Sequence, residues 1–481
     1  MQILFLLILF LCLFCSASSQ DDLADHWREY VALLETFDKY GYGDRSMEDE
    51  LNRNSSSITV EAHFDCKPSA SLEKPTSVHK LRPGDINVIA AMGDSLTAAN
   101  GAGADTVLGV AIQYRGLAAS IGGDESLEQV ITLPNIMRNY NADIYGYSTG
   151  TGTKNSRNSK LNVAVPGAVT DGMPKQARKL VDKMKNDPNV DFENDWKMVT
   201  IFIGGNDLCR YCKYPERYSP ENYIIFFEET LMILTEIPRM FVNVIGMLNV
   251  QNVAELSSFS CDILHQFLCP CGMKEDDREL LRDKTRQYQS LLQSSIDSGK
   301  FDIRDDFTAV FQPFYIETTL PRHADGSPDY SFFAPDCFHL SAKGQGAQAI
   351  STWNNMIQPV GYKDRSWTPG EDIRCPSEDF PFLYTNKNSR DSWSGQDSDE
   401  NQHEGTDQQP PQQEQQHQEQ QHQEEAQKQD NFGSPVEPPQ EGGLSGGSIA
   451  VIAILALVVV GAAMMLVVRR VKQSRNPYIQ L

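Results

Sequence analysis

The stretch Ile86-Asn-Val-Ile-Ala-Ala-Met92, followed at once by Gly93-Asp-Ser-Leu96, decides how this chain folds. The first seven residues form a nearly continuous apolar run, which is typical of a strand buried on both faces of a parallel sheet. Gly93 and Asp94 are turn residues, so Ser95 is predicted at the corner where that strand ends. A serine at such a corner presents its hydroxyl and a backbone N–H to one point, as acyl transfer requires.

Further apolar runs alternate with helical patterns along the chain. Strands are predicted at 198–203, 241–248 and 307–311, and helices at 173–186, 219–236, 274–298 and 341–358. This alternation predicts an α/β fold in which helices cover both faces of a parallel sheet. Residues 60–385 are long enough to form one core of this kind and are the predicted catalytic domain.

The motif Asp336-Cys-Phe-His339 can supply the acid and the base that a serine nucleophile needs. A histidine three residues after an aspartate can contact that carboxylate within one turn of loop and keep its other ring nitrogen for Ser95. His265 and His323 are rival bases, and His323 has Asp325 two residues downstream. Because this spacing is common, a purely structural role for the motif stays open.

Donors for an oxyanion are predicted at the ends of two other apolar segments. Gly204-Gly-Asn-Asp207 follows the second predicted strand, and its glycines let the backbone turn so that the Asn206 amide faces inward. Gly167 follows the apolar segment 161–165 and offers its backbone N–H. The carboxyl ends of parallel strands meet at one edge of a sheet, so these donors and the Ser95 N–H are expected to lie close together.

These residues resemble a known family. Ser95, Gly167, Asn206 and His339 match, in order, the four signature residues of the GDSL or SGNH hydrolases, which are three-layer α/β/α esterases and lipases with a flavodoxin-like parallel sheet. The flanking sequence narrows the resemblance to the membrane-associated phospholipase B family over roughly residues 60–390. The matching blocks are Ser77–Ile86, Gly93–Ala98, Asn162–Ala168, Gly204–Cys209, Asp336–Gly344 and Trp353–Met356.

The resemblance implies calcium-independent hydrolysis of acyl esters in glycerophospholipids and lysophospholipids, with no metal and no cofactor. It implies that Ser95 is the nucleophile, that His339 is its base and that Asp336 orients the histidine. The chain departs from the family pattern in two respects. Ala99 stands where such enzymes often have glycine, and only one catalytic unit is present, whereas some relatives carry tandem copies.

Cysteine usage predicts disulfides. Of ten cysteines, two fall in the apolar segment at the start of the chain. The other eight, for which 105 pairings are possible, are Cys66, Cys209, Cys212, Cys261, Cys269, Cys271, Cys337 and Cys375. The Cys209-x-x-Cys212 and Cys269-x-Cys271 pairs are close enough in sequence to suggest metal ligands, but no second ligand pair has the spacing of a zinc site.

The ends of the chain predict a single-pass type I plasma-membrane protein with its catalytic domain outside the cell. Residues 1–19 are a predicted signal peptide and 20–59 a helical segment. The Gln-, Glu- and Pro-rich segment 386–447 is a predicted disordered stalk and a candidate site of proteolytic release. An uncharged stretch, 448–468, is the predicted transmembrane helix, and the basic residues after it place 469–481 in the cytoplasm.

Two short motifs extend this topology. Asn54-Ser-Ser56 is a glycosylation acceptor sequence. Tyr478-Ile-Gln-Leu481 resembles tyrosine-based sorting signals, which predicts an endocytic adaptor as a partner and endosomal cycling. The net charge of -23 argues against nucleic acid as a partner.

Two alternatives to a phospholipase stay open on sequence alone. The same fold and residues would serve an esterase or an acyltransferase that acts on other acyl esters. A non-catalytic ectodomain that acts as a receptor or adhesion module is the other alternative, although no catalytic position has been lost.

Overall fold

The computed structural model describes residues 64–67 and 70–390. Its central sheet has four parallel strands in the order β1-β2-β3-β4, all of them buried along their whole length. The strands are β1 (Val88–Gly93), β2 (Lys197–Phe202), β3 (Met240–Ile245) and β4 (Phe307–Gln312). They start in one row, because Val88 pairs with Lys197, Lys197 with Met240, and Met240 with Phe307. Their carboxyl ends therefore form one edge.

The apolar segment 161–165 runs beside β1 without forming a full strand. It is parallel to β1 and bonded to it through Ala91 N–H to Leu161 O (3.3 Å), Val163 N–H to Ala91 O (3.1 Å) and Val165 N–H to Gly93 O (3.0 Å). With this segment counted, β1 lies second from the edge, as in a flavodoxin-like sheet.

The four long helices of the described residues begin and end within two residues of their predicted bounds, whereas the shorter helices were not predicted. In chain order the helices are α1 (Leu133–Met137), α2 (Met173–Asn186), α3 (Gly205–Arg210), α4 (Pro220–Leu234), α5 (Phe259–Leu268), α6 (Pro270–Met273), α7 (Glu275–Asp297) and α8 (Ala342–Met356). Side-chain caps fix several helix starts: the Ser219 hydroxyl accepts the Asn222 N–H, and the Ser341 hydroxyl accepts the Gly344 N–H.

The sheet separates two apolar cores. Alternate residues of β1 point to opposite faces, so Val88, Ala90 and Met92 pack in one core while Ile89 and Ala91 pack in the other. Helices α2, α4 and α7 cover the first face, and α8 with the short α1 covers the second. The predicted three-layer α/β/α architecture is confirmed.

All eight cysteines of the described region are in disulfides. The pairs are Cys66–Cys375, Cys209–Cys269, Cys212–Cys271 and Cys261–Cys337. The two closely spaced pairs, which suggested metal ligands, instead bond to each other and join the end of α3 to α6. Their sulfurs are therefore oxidised and are not thiolate ligands.

Several predictions concern residues outside the described part of the chain. These are the signal peptide at 1–19, the helical segment at 20–59, the stalk from residue 391 onward, the transmembrane helix at 448–468, Asn54 and the tail motif. The first residues of the predicted stalk belong instead to the domain, because Asn386, Asn388 and Ser389 are buried and Asn388 Nδ2 donates to the His79 carbonyl at 3.0 Å. Within residues 64–67 and 70–390, no helix is both long enough and apolar enough to cross a membrane.

Candidate active site

Ser95 lies on a tight turn directly after β1. The turn starts at Gly93, where a Cβ atom would approach the Phe202 carbonyl oxygen and the Thr97 hydroxyl to 2.4 Å, so no other residue fits there. The Asn100 N–H donates to the Ser95 carbonyl at 3.0 Å and closes the turn. The Ser95 residue is only 5% exposed. The backbone of the turn therefore fixes the position of Ser95.

The structure brings Ser95, His339 and Asp336 together in a buried line. Ser95 Oγ lies 2.8 Å from His339 Nε2, and His339 Nδ1 lies 2.5 Å from Asp336 Oδ2. A carboxylate only accepts hydrogen bonds, so an ionised Asp336 places the imidazole proton on Nδ1. The Nε2 lone pair is then left to accept the Ser95 hydroxyl. This arrangement allows the histidine to remove the hydroxyl proton.

The loop that carries Asp336 and His339 is held at several points. The Ala334 N–H donates to the His339 carbonyl at 2.7 Å, and Asp336 Oδ1 accepts the His339 N–H at 3.0 Å. Cys337, between them, has a left-handed backbone (φ 57°) and is bonded to Cys261 of α5. The disulfide thus joins the loop to α5.

The two rival bases lie elsewhere. His265 also follows an aspartate by three residues, because Asp262-Ile-Leu-His265 repeats the spacing of the 336–339 motif. In α5, however, His265 Nε2 donates to the Cys337 carbonyl at 3.2 Å, and burial lowers its pKa. His323 lies in an exposed turn, 3.8 Å from Asp329. The Asp-x-x-His spacing alone therefore does not identify the base. Of the three candidate histidines, only His339 lies within hydrogen-bond distance of Ser95.

Asn206 joins the turns around Ser95. It lies in the first turn of α3, and its Nδ2 donates to the Ala168 carbonyl at 3.0 Å and to Asp94 Oδ2 at 3.3 Å. The residue before Ala168 is Gly167, whose φ of 75° lies in the left-handed region that favours glycine. Ser95, Asn206 and the Gly167 turn thus meet at the carboxyl edge of the sheet.

Two buried carboxylates accept hydrogen bonds from these turns. Asp94 Oδ1 accepts the Leu96 N–H at 2.9 Å, and the Asp207 carboxylate accepts the Thr170 N–H at 3.0 and 3.1 Å. Burial raises the pKa of Asp94 to about 6, while its hydrogen bonds and the charge of His339 oppose that shift. Burial also raises the pKa of Asp207 to about 7. Neither carboxylate is hydrogen-bonded to the Ser95 hydroxyl.

Three buried polar side chains that the sequence analysis did not single out donate hydrogen bonds to the backbone of the site: Arg115, Gln176 and Gln345. Arg115 is fully buried and donates to the carbonyls of Asn162 (3.0 Å) and Ala164 (2.8 Å), which fixes the segment leading to Gly167. Burial lowers its pKa to about 10, so it stays charged at neutral pH.

Gln176 and Gln345 act in the same way on the Ser95 turn. Gln176 accepts the Gly93 N–H at 3.0 Å and donates to the Gly93 carbonyl at 2.8 Å. Gln345 donates to the Leu96 carbonyl at 3.1 Å. Both glutamines are polar residues on the buried faces of predicted helices. A polar residue at such a position is the sequence feature that could have identified them.

An apolar pocket adjoins Ser95. It has a volume of about 80 Å³ and lies between the Ser95 turn, the loop after β3 and the loop around residue 338. Its apolar lining includes Met247, Leu248, Val250, Val253, Leu256, Leu320, Phe333, Phe338 and Leu340. Such a lining suits a hydrocarbon chain next to the reacting group.

Fold and site together define a serine hydrolase of the SGNH class. The family model described as GDSL-like Lipase/Acylhydrolase matches residues 89–351, which is more than half of the chain. The chain belongs to this family.

The chain is also similar in sequence to individual proteins. The chain is 47% identical over 339 residues to phospholipase B1, membrane-associated, of Mus musculus, and 46% identical over 328 residues to the protein of the same name from Homo sapiens. These matches cover 68% and 66% of this chain, but 23% and 22% of the relatives. The chain thus spans about a quarter of the length of the curated relatives that it matches.

Proposed function

We propose that this protein hydrolyses the acyl esters of glycerophospholipids and lysophospholipids, with Ser95 as the nucleophile. The observation that carries the proposal is the buried line from Ser95 Oγ through His339 to Asp336, with distances of 2.8 and 2.5 Å, at the mouth of an apolar pocket. The relatives named phospholipase B1 support the choice of substrate.

In the first half of the reaction His339 Nε2 takes the Ser95 proton while Oγ attacks the ester carbonyl carbon. The carbonyl oxygen becomes an oxyanion, which accepts hydrogen bonds from the Ser95 and Gly167 N–H groups and from the Asn206 amide. Asp336 stabilises the imidazolium that forms. The tetrahedral intermediate then collapses, the imidazolium gives its proton to the departing glycerol oxygen, and the acyl group stays on Ser95.

In the second half a water molecule attacks the acyl carbon of the Ser95 ester, and His339 accepts its proton. Collapse of this intermediate returns the proton to Ser95 Oγ and releases the fatty acid. Substrate and water thus give a fatty acid and a deacylated lipid, and the enzyme is regenerated.

Asn206 must change partners to serve the oxyanion. Its two amide hydrogens now bond Ala168 and Asp94, and the Asp94 contact is the longer one at 3.3 Å. We infer that the oxyanion replaces Asp94 as the acceptor, because the weaker bond costs less to break.

Product analysis on phosphatidylcholine with differently labelled acyl chains tests this function. The wild-type protein is expected to release fatty acid from the diacyl lipid and from the lysolipid, and Ser95→Ala is expected to lose at least about 10³-fold in kcat. The exposed Ser126→Ala variant serves as the matched control. Undiminished fatty acid release by Ser95→Ala would refute the proposal.

A second candidate is an esterase for smaller acyl esters, and the small pocket volume of about 80 Å³ favours it. A series of neutral esters with increasing acyl length separates the two functions. A phospholipase retains or gains kcat/KM with long chains, whereas an esterase loses it beyond short ones. Added alcohol in the same assay shows whether the acyl group is transferred to an acceptor other than water.

We further propose that the catalytic domain is held at the outer face of the plasma membrane. The support is the uncharged segment 448–468 with basic residues after it, and the word membrane-associated in the names of the relatives. Biotinylation of intact cells should label the domain, and glycosidase treatment should lower its mass only while Asn54 is present. If Tyr478→Ala leaves surface residence unchanged, the proposed endocytic adaptor has no role.

A further inference from the structure

A second, polar cleft adjoins the apolar pocket at Ser95. Its volume is about 890 Å³, and the two cavities share Asn249 and Asn252 as walls. The 3-10 helix Val250–Glu255 stands between them: Val250 and Val253 line the pocket, whereas Gln251 lines the cleft. A molecule whose ester lies at Ser95 can therefore keep an apolar part on one side of this helix and a polar part on the other.

One side of the cleft is a polar face of α7. Arg282, Arg286, Ser290, Gln293 and Ser294 line it at spacings of three and four residues, which place them on one stripe of the helix. Arg282 and Arg286 are exposed, and within the described part of the chain no acidic side chain forms an ion pair with either. Two like charges four residues apart repel each other, so their proximity is unfavourable unless an anion binds between them.

The acidic side chains that line the cleft do not neutralise Arg282 and Arg286. Glu317 is paired with Arg365, whose Nε lies 2.6 Å from Glu317 Oε1. Asp297 lies three turns beyond Arg286, about 16 Å along the helix. Gln289, between them, is already occupied, because its Nε2 donates to the Met247 carbonyl at 2.6 Å.

We propose that Arg282 and Arg286 bind the phosphate of the substrate head group while the acyl chain enters the apolar pocket. This inference rests on the proposed phospholipase function and adds to it a determinant of specificity. The guanidinium group suits the task because it is always charged and donates paired hydrogen bonds to phosphate oxygens. The two arginines are specificity residues, since they contact the polar part of the substrate and not the reacting atoms.

Paired kinetics on two substrates test the proposal. One substrate is dihexanoyl phosphatidylcholine below its micellar concentration, and the other is dihexanoylglycerol, which has the same ester groups and no phosphate. For Arg282→Gln/Arg286→Gln we expect kcat/KM on the phospholipid to fall by about 10-fold or more, mostly through KM, with kcat/KM on the neutral ester unchanged. Arg282→Lys/Arg286→Lys should recover part of the loss, because lysine keeps the charge and loses the paired hydrogen-bond geometry.

The matched control is Arg178→Gln/Lys179→Gln, which removes the same charge from exposed positions of α2, a helix separated from α7 by α4. This control should leave kcat/KM on both substrates unchanged. An equal fall in the control would assign the effect to net charge and overturn the proposal. If the double glutamine variant does not fold, the two single variants carry the same comparison.

The outcomes separate this inference from the function beneath it. If the wild-type protein cleaves both substrates and the double glutamine variant does so equally well, the phosphate subsite is wrong and the phospholipase function stands. If the wild-type protein cleaves the neutral ester but not the phospholipid, the phospholipase proposal fails, and the subsite fails with it.

Discussion

Asp94 and Asp207 show how single residues hold this site. Burial raises the pKa of both carboxyl groups, and both accept hydrogen bonds from backbone N–H groups of the turns around the site. They hold the turns around Ser95 and Asn206, to which they are adjacent in sequence. By contrast Arg115 could not be found by local reasoning, because its partners lie 47 and 49 residues further along the chain.

Asn206→Ala should reduce kcat with little change in KM, because an oxyanion donor acts mainly in the transition state. The expected loss is about 10²–10³-fold. Steady-state kinetics on the phospholipid measure it, with the exposed Asn186→Ala variant as control. A loss confined to KM would mean that Asn206 binds the substrate and does not stabilise the oxyanion.

Ala99 has a left-handed backbone, with φ 52°, at a position where the family often has glycine. Its neighbour Ala98 is equally buried but has an ordinary φ. Glycine relieves the backbone strain only at residue 99, so Ala98→Gly should cost about 1–2 kcal/mol more stability than Ala99→Gly. Denaturant unfolding measures the difference. Equal costs would show that the φ of Ala99 carries no strain.

Asp207 should make stability fall as the pH rises. Its folded pKa of about 7 lies above the ordinary value of 3.8, so the unfolded chain releases this proton first. Its contribution to the free energy of unfolding therefore decreases from about pH 4 to about pH 7 and is level above that. Asp207→Asn removes this contribution, so the stability of the wild type minus that of the variant should decline across that range. A constant difference would contradict the raised pKa.

At the scale of elements, local pattern was a reliable guide. The four strands and the four long helices lie within three residues of their predicted bounds, because apolar periodicity and capping are properties of neighbouring residues. The segment 161–165 forms only a bridge to β1. The Arg115 guanidinium donates hydrogen bonds to the Asn162 and Ala164 carbonyls, so these groups have partners without a further strand. The disulfide pairing was beyond prediction, because it depends on which distant segments meet.

The Cys261–Cys337 disulfide should matter to catalysis as well as to stability. Removing it as Cys261→Ala/Cys337→Ala frees the loop between Asp336 and His339, so we expect a fall in kcat and a loss of about 2–4 kcal/mol of stability. Cys66→Ala/Cys375→Ala is the matched control, since that bridge lies away from the pocket and should affect stability alone. Equal kcat values for the two variants would mean that the bridge does not position the loop.

At the scale of the whole molecule, the four turns that carry Ser95, Gly167, Asn206 and His339 come from widely separated parts of the chain. The parallel register of β1 and β2 brings the Ser95 and Asn206 turns to a common edge, and side chains such as Asn206 then tie the neighbouring turns together. A receptor-like ectodomain would have no need for a buried Ser95–His339–Asp336 line, because burying polar groups costs stability.

A mechanism carried by Ser95 and His339 predicts that chelation has no effect. Phospholipid hydrolysis should proceed at the same rate in excess EDTA as in millimolar calcium, after correction for any change in the physical state of the lipid. Soluble short-chain substrate removes that complication. Activity that is lost in EDTA and restored by calcium would mean that a metal takes part in the reaction.

The most direct measurement is active-site labelling with a fluorophosphonate, followed by mass spectrometry of the labelled peptides. A serine whose hydroxyl is activated by histidine reacts with this probe at phosphorus, as it would at an ester carbonyl. We predict one adduct, on Ser95, and loss of phospholipid hydrolysis in proportion to labelling; neither His339→Ala nor Ser95→Ala should react. An adduct on another residue, or full activity after complete labelling of Ser95, would contradict the central claim.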